Sequence, residues 1–203
     1  LHLASDTATP VEIMRAILKL DVDLLWLGGI GTYVRASNEV DEQVGDRAND
    51  ALRVDGRDLR CKVVAEGGNL GCTQLGRIEF ALKGGRINTD AIDNSAGVDC
   101  SDHEVNIKIL LNVVSDMENF PEAERNVLLA QMTDEVGLQV LEDNYYQTQS
   151  LSVSGIRGEK MLDAQARFIR HLEKTGRLNR AVEFLPGDDE ILERKARRIG
   201  LTS

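Results

Sequence analysis

Cys61-Lys62-Val63-Val64-Ala65-Glu66-Gly67-Gly68-Asn69-Leu70-Gly71-Cys72-Thr73 is the stretch on which the fold turns. Its first five residues are apolar apart from one lysine, a short run that suits a largely buried strand. Gly67, Gly68 and Gly71 follow at once and let the backbone turn tightly. Thr73 can then cap a helix in which Leu75, Ile78 and Leu82 share a face, until Gly84-Gly85 ends it. Strand, glycine turn, helix is one step of an α/β ladder.

The same step recurs on both sides. Upstream, Val22-Asp23-Leu24-Leu25-Trp26-Leu27 reads as a strand ended by Gly28-Gly29-Ile30-Gly31-Thr32. Before it, Thr9, Pro10 and Glu12 have the spacing of a capping box with proline at the first helical position, and Ile13, Ala16, Ile17 and Leu20 carry the helix on. Val40, Val44, Ala48 and Leu52 make a four-residue stripe that predicts a second helix within residues 38–53, closed by a turn at Asp55-Gly56. Downstream, Arg86-Ile87-Asn88 reads as another short strand before a loop at 90–97. This alternation is the rhythm of right-handed βαβ units and predicts a parallel sheet of about three strands.

From Ser101 the pattern changes. Ile107, Leu110, Leu111, Val113, Val114 and Met117 describe a helix that is apolar nearly all round, hence expected to be buried. Further helices are predicted at 122–144, 155–174 and 188–199, with Pro121 and Pro186 at their edges. The expected organisation is an α/β part over residues 1–104 and an all-helical part over 105–203.

The chain has 203 residues, 34 acids against 24 bases and a net charge of -10, which disfavours phosphate backbones and anionic membrane surfaces as general partners. An anionic cofactor stays possible, since local N–H groups rather than net charge hold phosphates. No apolar run approaches the roughly 18 residues that span a bilayer. Cys61, Cys72 and Cys100 are odd in number and lack CxxC spacing, so reduced thiols in a cytoplasmic protein are the simplest reading. Residue 1 is Leu rather than Met, as expected of a piece of a longer chain.

In an open parallel sheet, ligands bind beyond the carboxyl ends of the strands. Three such ends here are small or polar: 28–32, Glu66-Gly67-Gly68-Asn69 and Asn94-Ser95-Ala96-Gly97. Glycines admit a ring or phosphate close to the backbone, and asparagine offers both donor and acceptor. Each turn could equally be a plain strand-to-helix connection. Gly28-Gly29-Ile30-Gly31 is no dinucleotide fingerprint, because counting from Gly29 the third glycine would fall at Val34.

Ala65-Glu66-Gly67-Gly68-Asn69-Leu70-Gly71-Cys72-Thr73 resembles the A-E-G-A-N-x-P-T-T segment of the glutamate/leucine/phenylalanine/valine dehydrogenases. Asn94-Ser95-Ala96-Gly97-Val98-Asp99-Cys100-Ser101 resembles their N-A-G-G-V-x-x-S segment. Gly28-Gly29-Ile30-Gly31-Thr32-Tyr33, Gly45-Asp46-Arg47-Ala48-Asn49-Asp50-Ala51-Leu52-Arg53, Gly85-Arg86-Ile87-Asn88-Thr89-Asp90 and Asp102-His103-Glu104-Val105-Asn106-Ile107-Lys108 look like the large, multidomain NAD-dependent glutamate dehydrogenases of bacteria. Asp143-Asn144-Tyr145-Tyr146-Gln147-Thr148-Gln149 and Gly176-Arg177-Leu178 extend the likeness over nearly the whole chain.

The resemblance implies the second half of a Rossmann-like sheet and an oxidoreductase that deaminates L-glutamate to 2-oxoglutarate and ammonia, passing a hydride to NAD. Asn69 matches the family asparagine near the nicotinamide ribose and substrate α-carboxylate, and Asn94 the one bonded to the nicotinamide carboxamide. Gly67 and Gly68 lie in the cofactor-side turn; Gly97 and Val98 would line the substrate, and Ser101 would contact its side-chain carboxylate. Gly68, Gly71 and Cys72 depart from Ala, Pro and Thr of the first motif, and Ser95-Ala96 from Ala-Gly of the second. The family's proton-transfer lysine and aspartate, and its pyrophosphate loop, are expected upstream of this chain. The piece would then hold no catalytic residue and be inactive alone. The rest of the full-length enzyme, and a second copy of it in a homo-oligomer, are the implied partners.

Plainer readings stand beside these. Ser101 could simply open a helix, Glu66 could be a structural carboxylate, and Trp26 could be core packing or flank a cofactor. Residues 45–53 could be a solvated or ion-paired helix face. Cys100 and His103 lack a second pair of metal ligands. The rivals for function are a leucine, phenylalanine or valine dehydrogenase, whose substrates want an apolar pocket, and a non-catalytic interaction module. With half a sheet missing, the strand at 22–27 is expected to present an edge that seeks cover.

Overall fold

The computed structural model describes residues 7–118 and 120–201. The chain's first six residues and the Met117 side chain, part of the predicted apolar helix, lie outside the described residues. Helix α1, Pro10–Leu18, starts as its text predicts: Thr9 accepts from the Glu12 N–H while the Glu12 carboxylate accepts from the Thr9 N–H at 2.7 Å. Strand β1, Leu24–Leu27, lies parallel to β4, Val63–Glu66, with Leu25 opposite Val64 and Leu27 opposite Glu66. Helix α3, Gln74–Leu82, is capped by the Thr73 hydroxyl, which accepts from the Gly76 N–H at 3.0 Å.

Three expectations in this part need correction. The helix expected within 38–53 is only α2, Asp41–Val44, followed by a 3-10 turn at Arg47–Asn49. Gly45 takes a left-handed conformation, φ 78°, and ends α2. The chain then forms a second parallel pair, β2 at Val34–Arg35 with β3 at Val54–Asp55, for which no alternating pattern had spoken. The strand expected at 86–88 is a single bridge from Arg86 to Val63, so the sheet is two short parallel pairs rather than three strands. The loop expected at 90–97 is instead helix α4, Asp90–Asp93, running through Asn94 into α5, Ser95–Glu118.

The core of this part joins Leu18, Leu27, Val34, Val54, Leu59, Cys61, Val64, Cys72 and Phe80. Among the described residues β1 has β4 as its one strand neighbour.

Beyond it the chain is helical: α6 Glu122–Arg157, α7 Glu159–Lys174 and α8 Asp188–Ala196. The expected break after 144 is absent. Thr148 and Ser152 donate their hydroxyls to carbonyls one turn back, at 3.0 Å each, so this polar stretch satisfies itself inside the helix. Helix α5 is not buried as expected. Leu111 is covered, but Val105, Ile109, Leu110 and Val113 are exposed; α6 is the main element packed on α5. Helix α5 also runs unbroken across positions 104 and 105. No helix is long and apolar enough to cross a membrane among the described residues.

Candidate functional site

The carboxyl ends of β1 and β4 lie side by side, and the turns that leave them are in contact. Gly67 and Gly68 both donate N–H to the Leu27 carbonyl, at 2.9 and 3.2 Å. A Cβ on Gly68 would sit 2.5 Å from the Gly29 carbonyl oxygen, so only glycine lets these backbones approach. The Trp26 ring lies against Gly28 and Gly67; it is 64% exposed, so it covers the turns rather than filling the core.

Asn69 leaves the first turn and meets Asn94, whose Nδ2 donates to the Asn69 Oδ1 at 2.7 Å. The two motif asparagines, 25 positions apart in sequence, are thus joined on one rim. Asn94 folds over Gly97, where a Cβ would stand 2.8 Å from the Asn94 Oδ1. Asn94, Gly97, Val98 and Ser101 follow i, i+3, i+4 and i+7 spacing onto α5 and so share one helix face. Val98 and Ser101 are exposed on that face, and the Ser101 hydroxyl has no hydrogen-bond partner among the described residues. Ser101 sits well inside α5 and therefore does not open a helix.

Two carboxylates of α4 stitch the turn at 66–70. Asp93 accepts from the Glu66 N–H and the Asn88 side chain, and Asp90 from the N–H of Leu70, which holds a left-handed φ of 59°. Sequence reading passed over both aspartates; two acids three residues apart directly after a strand were the available signal.

Glu66 is 1% exposed and structural, as its plainer reading has it. Arg77 donates Nη2 and Nε to one of its oxygens at 2.6 and 3.0 Å, and the Gly71 N–H reaches the other at 2.7 Å. Burial pushes the Glu66 pKa up, with Arg77 and the Gly71 N–H pulling against it. Burial, reinforced by Glu66, also pushes the Cys72 thiol far up, which keeps it protonated and inert. Cys100 is exposed, and all three cysteines are free.

The 45–53 segment is ion-paired, the second of its two plainer readings: Gly45, Arg47, Ala48 and Ala51 stay exposed while Arg53 turns inward. Arg53 is buried, with Nε on the Thr32 carbonyl at 3.0 Å and Nη1 paired with Asp41 and Asp50 at 2.6 and 2.7 Å. His103 Nε2 lies 3.3 Å from an Asp99 carboxylate oxygen, and the ligand atoms of Asp99, His103 and Asp143 all lie within 4.8 Å of one another.

Residues 1–154 match the family model described as bacterial NAD-glutamate dehydrogenase, catalytic domain. The chain belongs to that family of bacterial glutamate dehydrogenases. It is 56% identical over 200 residues to the NAD-specific glutamate dehydrogenase of Pseudomonas aeruginosa, covering 98% of this chain and 12% of that protein. The enzyme of the same name from Halomonas elongata is 54% identical, with the same two coverages. That from Mycobacterium tuberculosis is 52% identical over 194 residues. The chain therefore spans 12% of the length of these glutamate dehydrogenases, while the likeness runs through α7 and α8, past the end of the family match.

Proposed function

We propose that the chain supplies one wall of the active site of an NAD-dependent glutamate dehydrogenase. On this reading residues 1–104 are the second half of a Rossmann-like NAD-binding domain, and 105–203 a helical region that α5 joins to it without a break. The observation that carries the reading is the Asn69–Asn94 bond. Within that pair one amide group is used on each side. Whichever way the amides are turned, one donor and one acceptor remain free and adjacent. A primary carboxamide presents the complementary donor and acceptor, so the pair fits the nicotinamide end of NAD.

NAD would supply the hydride acceptor, and the chain's own groups would orient the ring and substrate. Asn69, Gly67, Gly68 and Asn94 would hold the nicotinamide and its ribose. Gly97 and Val98 would line the substrate, while Ser101, with an uncommitted hydroxyl, would donate to the side-chain carboxylate of glutamate. The proton-transfer groups and pyrophosphate loop would come from the rest of the full-length protein, which would act as a cytoplasmic homo-oligomer without nucleic-acid or membrane partners.

The test uses the full-length parent. Asn94→Ala raises KM for NAD about tenfold or more, the cost of leaving a polar group without its partner, and Ser101→Ala acts on KM for glutamate. Unchanged NAD kinetics in Asn94→Ala would overturn the reading, as would a preference for leucine, phenylalanine or valine over glutamate in the wild type. The purified 203-residue chain should reduce no NAD with glutamate, having orientation without proton transfer.

A further inference from the structure

The 28–32 turn is held by side chains outside the two family motifs. Its last residue, Thr32, is gripped on both backbone groups: the N–H donates to Asp46 Oδ2 at 2.8 Å, and the carbonyl accepts from Arg53 Nε at 3.0 Å. The two grips are linked, since Arg53 Nη2 also donates to the Asp46 carbonyl at 2.7 Å. Asn49 Nδ2 reaches the same Asp46 oxygen at 2.7 Å, and the Tyr33 hydroxyl donates to the Ile30 carbonyl at 2.9 Å. By contrast, the N–H groups of Gly29, Ile30 and Gly31 have no hydrogen-bond partner among the described residues. The fixed end and the free middle belong to one turn, and that middle touches Gly68 beside Asn69.

We infer that Asp46 and Arg53 are positioning residues, which hold the 28–32 turn so that its free N–H groups face the oxygen atoms of the bound dinucleotide. The assignment rests on the proposed dehydrogenase reading and adds a determinant to it. Arg53 suits the task because a planar guanidinium serves several acceptors in fixed directions. Asp46 suits it because a carboxylate oxygen can take two N–H groups at once. Neither residue would touch the reacting atoms. Their effect is geometric, and a misplaced wall can cost about a hundredfold in rate.

The experiment compares Asp46→Ala, Asp46→Asn and Arg53→Lys in the full-length enzyme by KM for NAD, KM for glutamate and thermal midpoint. Asp46 is half-exposed, so Asp46→Ala tests the grip without opening the core. It should raise KM for NAD about tenfold while KM for glutamate moves less than about twofold, from the loss of one N–H acceptor. Asp46→Asn keeps an oxygen for the Thr32 N–H and should recover most of the NAD affinity. Arg53→Lys cannot serve its acceptors together and should resemble Asp46→Ala. The inference is overturned by an Asp46→Ala enzyme with wild-type KM for NAD, or by one whose thermal midpoint falls while both KM values rise together. A wild-type parent without glutamate-dependent NAD reduction would overturn the dehydrogenase reading itself, a result distinguishable because it needs no variant.

Discussion

Between Leu18 and Phe80 nine buried residues form one connected core, whereas past Ser95 the buried apolar side chains among the described residues are Leu111, Val140, Ile169 and a small group around Leu162. The polar contacts divide the same way. In the α/β part they join distant residues, as in Arg53 to Thr32, Glu66 to Arg77 and Ser37 to Glu79. In α5, α6 and α8 many stay within one turn, as in Lys108 to Glu104, Tyr146 to Glu142 and Arg194 to Glu190. One region is fixed by its tertiary structure, the other largely by its own helical ladder. That contrast suits a rim whose turns must hold still, beside helices with apolar faces left open.

The largest break in this comparison should come from Glu66→Ala. Removing one partner of a buried pair leaves Arg77 without its carboxylate, and such losses run to about 3–5 kcal/mol. A urea melt followed by Trp26 fluorescence should report it, since that ring lies on the turn after Glu66. Next comes Leu162→Ala, whose side chain is buried against Ala166 and Ile191. It should cost about 2–5 kcal/mol while leaving the Trp26 transition in place. A shared shift in both signals would mean that the two regions unfold as one unit.

The same contrast explains what the sequence disclosed. α1, β1, β4 and α3 were legible because caps, glycines and apolar runs agree there, as at Thr9 and Thr73. The 38–53 segment was not. Its four-residue stripe is real, but Gly45 and the backbone-binding side chains of Asp46 and Arg53 outbid the helix, and their partners lie in a turn fourteen or more positions away. Strands β2 and β3 have two residues each, too short for any period to appear. The burial of α5 failed for another reason: an apolar surface predicts a need for cover, not its presence. Of the candidate site, the meeting of Asn69 and Asn94 could be expected from strand order and the family likeness. Asp90, Asp93, Asp46 and Arg53 could not, because acids and arginines at such spacing look like ordinary surface.

Acid should act on both regions, with different sensitivity to salt. Asp46 is held below the usual carboxylate range by the Thr32 N–H and then Asn49, Asp163 by Lys195, and Asp188 by Arg180 and Arg170 despite some burial. A carboxylate with a lowered folded pKa stabilises above its unfolded value, about 3.9, and loses that contribution as pH falls through the folded one. These groups therefore add no pH dependence between about 5 and 8 and begin to fail below about 4. Asp163 and Lys195 are exposed ion-pair partners, so added salt should weaken their share. The bonds at Asp46 come chiefly from an N–H and an amide and should respond less. Circular dichroism for the helices and Trp26 emission for the rim, titrated with acid at two salt concentrations, separate the two. Equal salt dependence would contradict the division.

The smallest effect expected is the sharpest test of α5. Leu110 and Leu111 are neighbours about 100° apart around the helix, 62% and 9% exposed. Glutamate at position 111 would place a carboxylate against α6 without a partner and should cost several kcal/mol. Leu110→Glu should change the stability of the 203-residue chain by no more than about 0.5 kcal/mol, the range of ordinary surface substitutions. The comparison is read from paired denaturation curves at two protein concentrations. If Leu110→Glu destabilises as much as Leu111→Glu, and does so only at high concentration, a second copy covers that face in solution. The open side of α5 would then be an interface, and the helical region would owe part of its stability to association rather than to its own ladder.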